Sequence, residues 1–260
     1  MRFYFGTPNA INRVADSIPF YGGGEFESPT RSTVPLLSLL IQAPGKFTEM
    51  IGSLGMPGDS DLYLEYTVPP PRGQGNPSHT DVMVRSGDDA LAIEAKWTEP
   101  LSETVEKWLS RGTNRANRDA VLEGWLGLIG DCLKRQFHPD DFLPVNYQML
   151  HRAASAAKTG DNPRLAYFLF TNPSVKQATQ PAQVREKLKD FWDRLGQPDK
   201  FTFYAVEVKI QATAAYENHL RLKKGAPATS EAVIAALRES APLFEFEPRS
   251  PHPITGGIHP

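Results

Sequence analysis

Apolar residues along the chain fall into runs of two periods. Val34 to Ile41 (VPLLSLLI) is almost wholly apolar and follows Ser32 and Thr33, either of which can cap a helix; the pattern predicts a buried helix stopped by Ala43-Pro44-Gly45. Leu62 to Val68 (LYLEYTV) is strand-forming and ends at Pro69-Pro70-Pro71, where no ladder can continue. His79 to Arg85 and Ala90 to Trp97 flank Ser86-Gly87-Asp88-Asp89, a turn composition that predicts a hairpin. In its second strand Leu91, Ile93 and Ala95 face one way, and Ala92, Glu94 and Lys96 the other. In its first strand Asp81, Met83 and Arg85 share a face.

Helical period then takes over. Ser102 is placed to cap a helix, and Ala120, Val121, Trp125, Leu128, Ile129, Cys132 and Leu133 recur at helical spacing. Pro144 can open a further helix with Leu150, Ala153, Ala154 and Ala157 on one face and Gln148, Arg152 and Ser155 on another. Arg164 to Phe170 and Phe201 to Ile210 read as strands, Gln183 to Leu195 and Ser230 to Leu237 as helices. The first 28 residues read as a short strand and a Gly-rich loop. This order predicts an α/β fold, a mixed central β-sheet flanked by helices, in one domain over residues 1–245 with a core at about 25–210. Residues 246–260 are rich in Pro and Gly and read as an extended tail.

Composition narrows the partners. With 260 residues, 40% hydrophobic and 22% charged, the chain suits one large globular domain. No stretch approaches the roughly 18 apolar residues of a membrane span, and the start lacks a signal-peptide pattern. A single cysteine excludes an intramolecular disulfide and a Cys-rich zinc site. No membrane partner and a reducing cytoplasm are expected. A net charge of −2 argues against a pure nucleic-acid-binding module, which needs a basic excess. It does not argue against a nuclease, whose carboxylates hold cations.

One set of residues departs from its surroundings. Glu94 and Lys96 lie on a strand flanked by Leu91, Ile93 and Trp97, and Asp81 lies on the neighbouring strand. An ionised group in such a strand is costly unless paired or bound to metal. Two carboxylates on adjacent strands can hold the Mg²⁺ that phosphodiester hydrolysis uses, and a lysine beside them can orient the water or neutralise the transition state. The plain alternative is a cross-strand ion pair at a solvated edge, the reading also given to Glu207-Val-Lys209.

The segment His79-Thr-Asp81, a turn, then Ile93-Glu94-Ala95-Lys96-Trp97 resembles the PD-(D/E)XK nuclease superfamily over about residues 25–160, with Thr80 where the family carries proline. The resemblance implies a restriction-endonuclease-like core and Mg²⁺ (or Mn²⁺) ligated by Asp81, Glu94 and the Ala95 carbonyl. Lys96 would position the attacking water or help to deprotonate it. It also implies assisting roles for Glu27, with Glu25 as its neighbouring rival, and for Gln148 on the helix after the hairpin. Arg152, four residues on, would contact phosphate. The run Lys107 to Arg118 (KWLSRGTNRANR) supplies Arg111, Arg115 and Arg118 as candidate backbone contacts, or a solvated loop. The implied partner is nucleic acid, with DNA favoured over RNA but RNA left open; the oligomeric state is also open, a homodimer being one way to supply two sites. The rival is a catalytically inactive nucleic-acid- or protein-binding module on the same fold.

Overall fold

The expected hairpin lies near the middle of a nine-stranded mixed sheet in a computed structural model that describes residues 1–254 apart from positions 8 and 112. The strands are β1 (Phe3–Phe5), β2 (Asn9–Ile11), β3 (Asp61–Val68), β4 (Ser78–Ser86), β5 (Asp89–Lys96), β6 (Asn162–Thr171), β7 (Thr202–Ala212), β8 (Phe244–Pro248) and β9 (His252–Ile254). They run in the order β2-β1-β3-β4-β5-β6-β7-β8, and β9 also pairs with β7. The central trio β3, β4 and β5 is antiparallel, whereas β5, β6 and β7 are parallel.

Helices α1 (Thr33–Gln42), α2 (Pro44–Ser53), α3 (Val105–Ser110), α4 (Arg115–Leu133), α5 (Tyr147–Thr159), α6 (Pro181–Arg194), α7 (Ala214–Glu217) and α8 (Pro227–Arg238) cover both faces. One apolar layer joins α1, α2 and α8 to Leu62, Leu64, Val82, Val84, Leu91, Ile93 and Phe168. The other joins α4, α5 and α6 to Met83, Ala92, Leu165, Tyr167 and Phe203. The α/β class with a large mixed sheet between helices is therefore as the pattern predicts. No described helix is long and apolar enough to cross a membrane.

Local chemistry explains where the boundaries moved. Pro44 does end α1, but it occupies the first turn of α2, where its missing N–H costs nothing. The Gly-rich loop contains short 3-10 segments, Val14–Phe20 and Gly23–Phe26, and the second adjoins α1. Neither Ser32 nor Thr33 caps α1 with its side chain. The Glu99 carboxylate, just beyond β5, accepts the Ser32 N–H (2.6 Å) and hydroxyl (3.0 Å) instead. Thr104 rather than Ser102 caps α3, accepting the Lys107 N–H. The Ser102 hydroxyl accepts the Gln148 N–H (3.0 Å), tying the loop after β5 to the start of α5. That helix opens at Tyr147, beyond Pro144. Part of the expected tail is built into the sheet, since β8 and β9 both pair antiparallel with β7.

Candidate active site

The ladder between β4 and β5 ends at Val82 opposite Ile93. One step further the strands part, and the Ala95 N–H donates instead to Asp81 Oδ2 (2.8 Å). A side-chain carboxylate thus replaces the strand partner that a buried amide requires. The sheet changes phase at the same level. In β3, Leu64 packs in the α1 layer but Tyr66, two residues on, packs in the α5 layer. In β4, Val82 lies in the α1 layer, while Ser78 bonds to His151 and Arg152 of α5. Regular alternation would put each of these pairs on one side. Between them stand Glu65 and Asp81, opposite one another in the β3–β4 register, as the flanking pairs Leu64–Val82 and Tyr66–Thr80 show. Glu65 carries the inversion with φ 50°, a left-handed conformation that side chains other than Gly, Asn and Asp rarely adopt.

Glu94 lies beside Asp81 and is the hub of the charged groups. Its Oε1 accepts from Lys96 Nζ (2.8 Å) and Gln148 Nε2 (2.8 Å), and its Oε2 from Arg152 Nε (2.7 Å). Side-chain exposure falls from 13% at Lys96 to 7% at Arg152 and 2% at Glu94, so lysine forms the open side and arginine the back. Burial alone would push the Glu94 carboxyl up, but Lys96 and Arg152 together hold it below the ordinary value. Burial likewise opposes the Lys96 ammonium, and Glu94 and Asp81 outweigh it, so its pKa is raised. Lys96 is therefore held charged, which suits stabilising an anion rather than removing a proton.

Behind this pair, Arg152 donates to Ser78 Oγ (2.8 Å) and His151 Nδ1 (3.2 Å). Arginine has no acceptor, so Nδ1 is the unprotonated nitrogen and the His151 ring proton sits on Nε2. Burial, then Arg152, lowers the His151 pKa well below its ordinary value and keeps it neutral. The arginine is thereby fixed from both ends.

Asp81 and Glu65 are the unsettled charges. Burial, then Glu94, raises Asp81 to about 7. Burial, then Asp81, raises Glu65 to about 9. The Glu65 carboxylate has no hydrogen-bond or ion-pair partner among the described residues, although its backbone carbonyl accepts from the Thr67 hydroxyl (3.1 Å). Next along the row, in β6, Tyr167 stands opposite Glu94, fully buried, with a hydroxyl that has no partner among the described residues.

A divalent cation fits this donor chemistry. The free acceptor positions belong to Asp81, to Glu65 and to the remaining lone pair of Glu94 Oε2, all hard oxygen donors. Among the described residues no three or more His, Cys, Asp or Glu converge to cage a metal unaided. Magnesium does not demand a cage: one or two carboxylates with water and substrate phosphate usually suffice.

The structure brings together Asp81, Glu94, Ala95, Lys96, Gln148 and Arg152. It does not bring Glu27, which is exposed and contributes its carbonyl to the Gly225 N–H. Its neighbour Glu25 lies nearer, close enough to Glu65 to raise that carboxyl, and is held by Arg31 (2.9 Å) and Thr33 (3.0 Å). Arg111 pairs with Glu103 and Arg115 with Asp119, both on the surface, while Arg118 stacks 4.9 Å from the Trp108 ring centre. Arg111 closes α3, and Arg115 and Arg118 lie in the first turn of α4, so the run is mostly helical and not the loop that the sequence suggests. Glu207 and Lys209 pair outward with Arg249 and Glu247. Sequence reasoning missed Glu65, Ser78 and Tyr167. Glu65 carried a readable signal, an acid inside a strand-forming run adjacent to the hairpin.

A family model described as a domain of unknown function, DUF6946, matches residues 11–216. Comparison with curated proteins and with solved structures gave no match.

Proposed function

That match spans most of the chain, which therefore belongs to the DUF6946 family, and we propose that this member is a Mg²⁺- or Mn²⁺-dependent nuclease that hydrolyses phosphodiester bonds, in DNA rather than RNA. The observation that carries the reading is the meeting of Asp81, Glu94 and Lys96 where β4 and β5 part, with Gln148 and Arg152 reaching the same carboxylate from α5. The order of elements supports a restriction-endonuclease-like core: a helix, three antiparallel strands, helices, then a strand parallel to the third.

Asp81 and Glu94 would hold the cation, with the Ala95 carbonyl as a third donor. Bound there, a divalent ion supplies positive charge to the phosphate and lowers the pKa of a coordinated water. Lys96 presents its ammonium at the open side, where charge builds on the phosphoryl oxygens. Gln148 and Arg152 keep Glu94 anionic and oriented while substrate enters and leaves. The lone cysteine suits a reducing cytoplasm, and two copies would cut both strands of a duplex.

The test is cleavage of plasmid and single-stranded DNA with Mg²⁺ or Mn²⁺. Asp81→Asn and Lys96→Ala should each reduce the rate at least 100-fold, the scale of losing a preorganised electrostatic group. Cutting that survives both changes would reject the assignment.

One observation favours a second reading. Glu94 already accepts from three donors, so this carboxylate is satisfied without chemistry, as it would be in a non-catalytic nucleic-acid- or protein-binding module. Calorimetric Mn²⁺ titration separates the two: such a module shows no binding that depends on Asp81 and Glu94.

A further inference from the structure

A cavity of about 270 Å³ opens beside the carboxylate row, lined by Phe5, Phe20, Tyr21, Glu25, Glu65 and His79 among others. It lies just under the ~300 Å³ at which drug-sized ligand sites begin, so it is sized for a single ring system. Three of its walls are aromatic. The Phe5 ring centre stands 5.4 Å from that of Phe20 and 5.2 Å from that of Tyr21. Phe20 is 59% exposed at the rim, and with Met1 it makes up the exposed large apolar side chains among the described residues. A ring left in water at the mouth of an aromatic pocket gains by covering itself with another ring.

The polar walls are of two kinds. Glu25 is occupied by Arg31 and Thr33 and is a fixed surface. Glu65 is not: it lines the cavity with a carboxylate that has no partner among the described residues, on a strand whose left-handed turn puts it there. It is also the boundary with the hydrolytic centre, since it stands opposite Asp81.

We propose that this cavity is a base-binding subsite, seating the nucleobase next to the scissile phosphodiester against Phe20 and Tyr21 with its N–H edge toward Glu65. Every nucleobase offers a flat π-face and at least one N–H on its pairing edge, so such a site tolerates any sequence. A base stacked and paired inside a duplex cannot enter it. The substrate is therefore a nucleotide already free of the stack, in a single strand, a frayed end or a mismatch, or one extruded at a cost. This inference takes its substrate from the nuclease reading, but its test does not depend on cutting.

The experiment is fluorescence anisotropy of the full chain with labelled DNA 12-mers, with Ca²⁺ as the sole divalent ion and strands verified intact afterwards. The probes are a single strand, the same strand with abasic positions, and a blunt duplex. The intact single strand should bind about tenfold more tightly than either other probe, the scale of one base–aromatic stack. Phe20→Ala, an exposed position whose fold is checked by circular dichroism, should erase that difference. Equal affinity for all three probes, or a Phe20→Ala protein that discriminates as before, overturns the proposal. Persistent base dependence in a protein that cuts nothing would sink the nuclease reading and leave the subsite standing.

Discussion

Arg152 is the side chain on which the buried charges depend. Its guanidinium meets Glu94 at 2.7 Å with both groups nearly out of water. Removing one member of such a pair strands the other, at a cost of about 3–5 kcal/mol, whereas replacing both by apolar groups is often close to neutral. Arg152→Met should therefore destabilise the protein in urea titrations, by less than that because Glu94 keeps Lys96 and Gln148 as donors, and Glu94→Leu should cost less in this variant than in the parent protein. A double variant as unstable as the sum of its parts would show that the pairing is not the source. Asp81 and Glu65 act in the opposite sense. Their folded pKa values, about 7 and about 9, lie above the ordinary 3.8 and 4.5. The folded state then holds more protons at these two groups than the unfolded state across that window, so their contribution to stability is full below about pH 4 and declines as pH rises toward 9. In EDTA the melting temperature should fall over this range, less so in Asp81→Asn/Glu65→Gln, and Mn²⁺ should oppose the fall. A profile that stays flat in the parent protein would contradict the burial of these two groups.

The elements were legible to different depths. Strands β3 to β7 follow from alternation and turn chemistry, because period two and a proline or glycine stop are local properties of the chain. The phase inversion at Glu65 and Asp81 was not legible: a left-handed residue inside a strand leaves no compositional trace when it is a glutamate. Nor was the cap of α1, since its acceptor is Glu99, 67 residues away in sequence from Ser32. Gln148 and Arg152 could be placed on one helical face from spacing alone, but their convergence on a single carboxylate required the crossover that lays α5 against β5. Glu27 was chosen over Glu25 by order along the chain, and the short 3-10 segment Gly23–Phe26 turned the other residue inward. Glu99→Ala should cost about 1 kcal/mol, the usual worth of a lost helix cap, with the added exchange of amide protons concentrated in the first turn of α1. Uniform loss of protection across the sheet would point to a wider role for this carboxylate.

At the scale of the molecule, the sheet is closed at both margins by short pieces from the ends of the described chain, β1 joining parallel to β3 and β8 and β9 antiparallel to β7. β1 and β2 lie at one margin, and β8 and β9 at the other. Short margins are a defence against edge-to-edge aggregation. Phe244, Phe246 and Ile254 are buried there against the helical layers. A chain ending at Leu243 should lose on the order of 5 kcal/mol, taking about 1.5–3 kcal/mol for each apolar side chain no longer buried. It would also expose the length of β7, so expression should shift to the insoluble fraction. A soluble truncated protein with an unchanged melting temperature would show that the last strands are dispensable.

The parting of β4 and β5 has a practical consequence. The backbone proton of Ala95 is retained by a carboxylate that would also serve as cation ligand, where a fellow strand would normally retain it. Its nuclear resonance position and its rate of exchange with deuterated solvent thus form a built-in gauge of Asp81. Protonation, ion capture or an approaching phosphate would each move that one signal, with no substitution introduced among the buried charges.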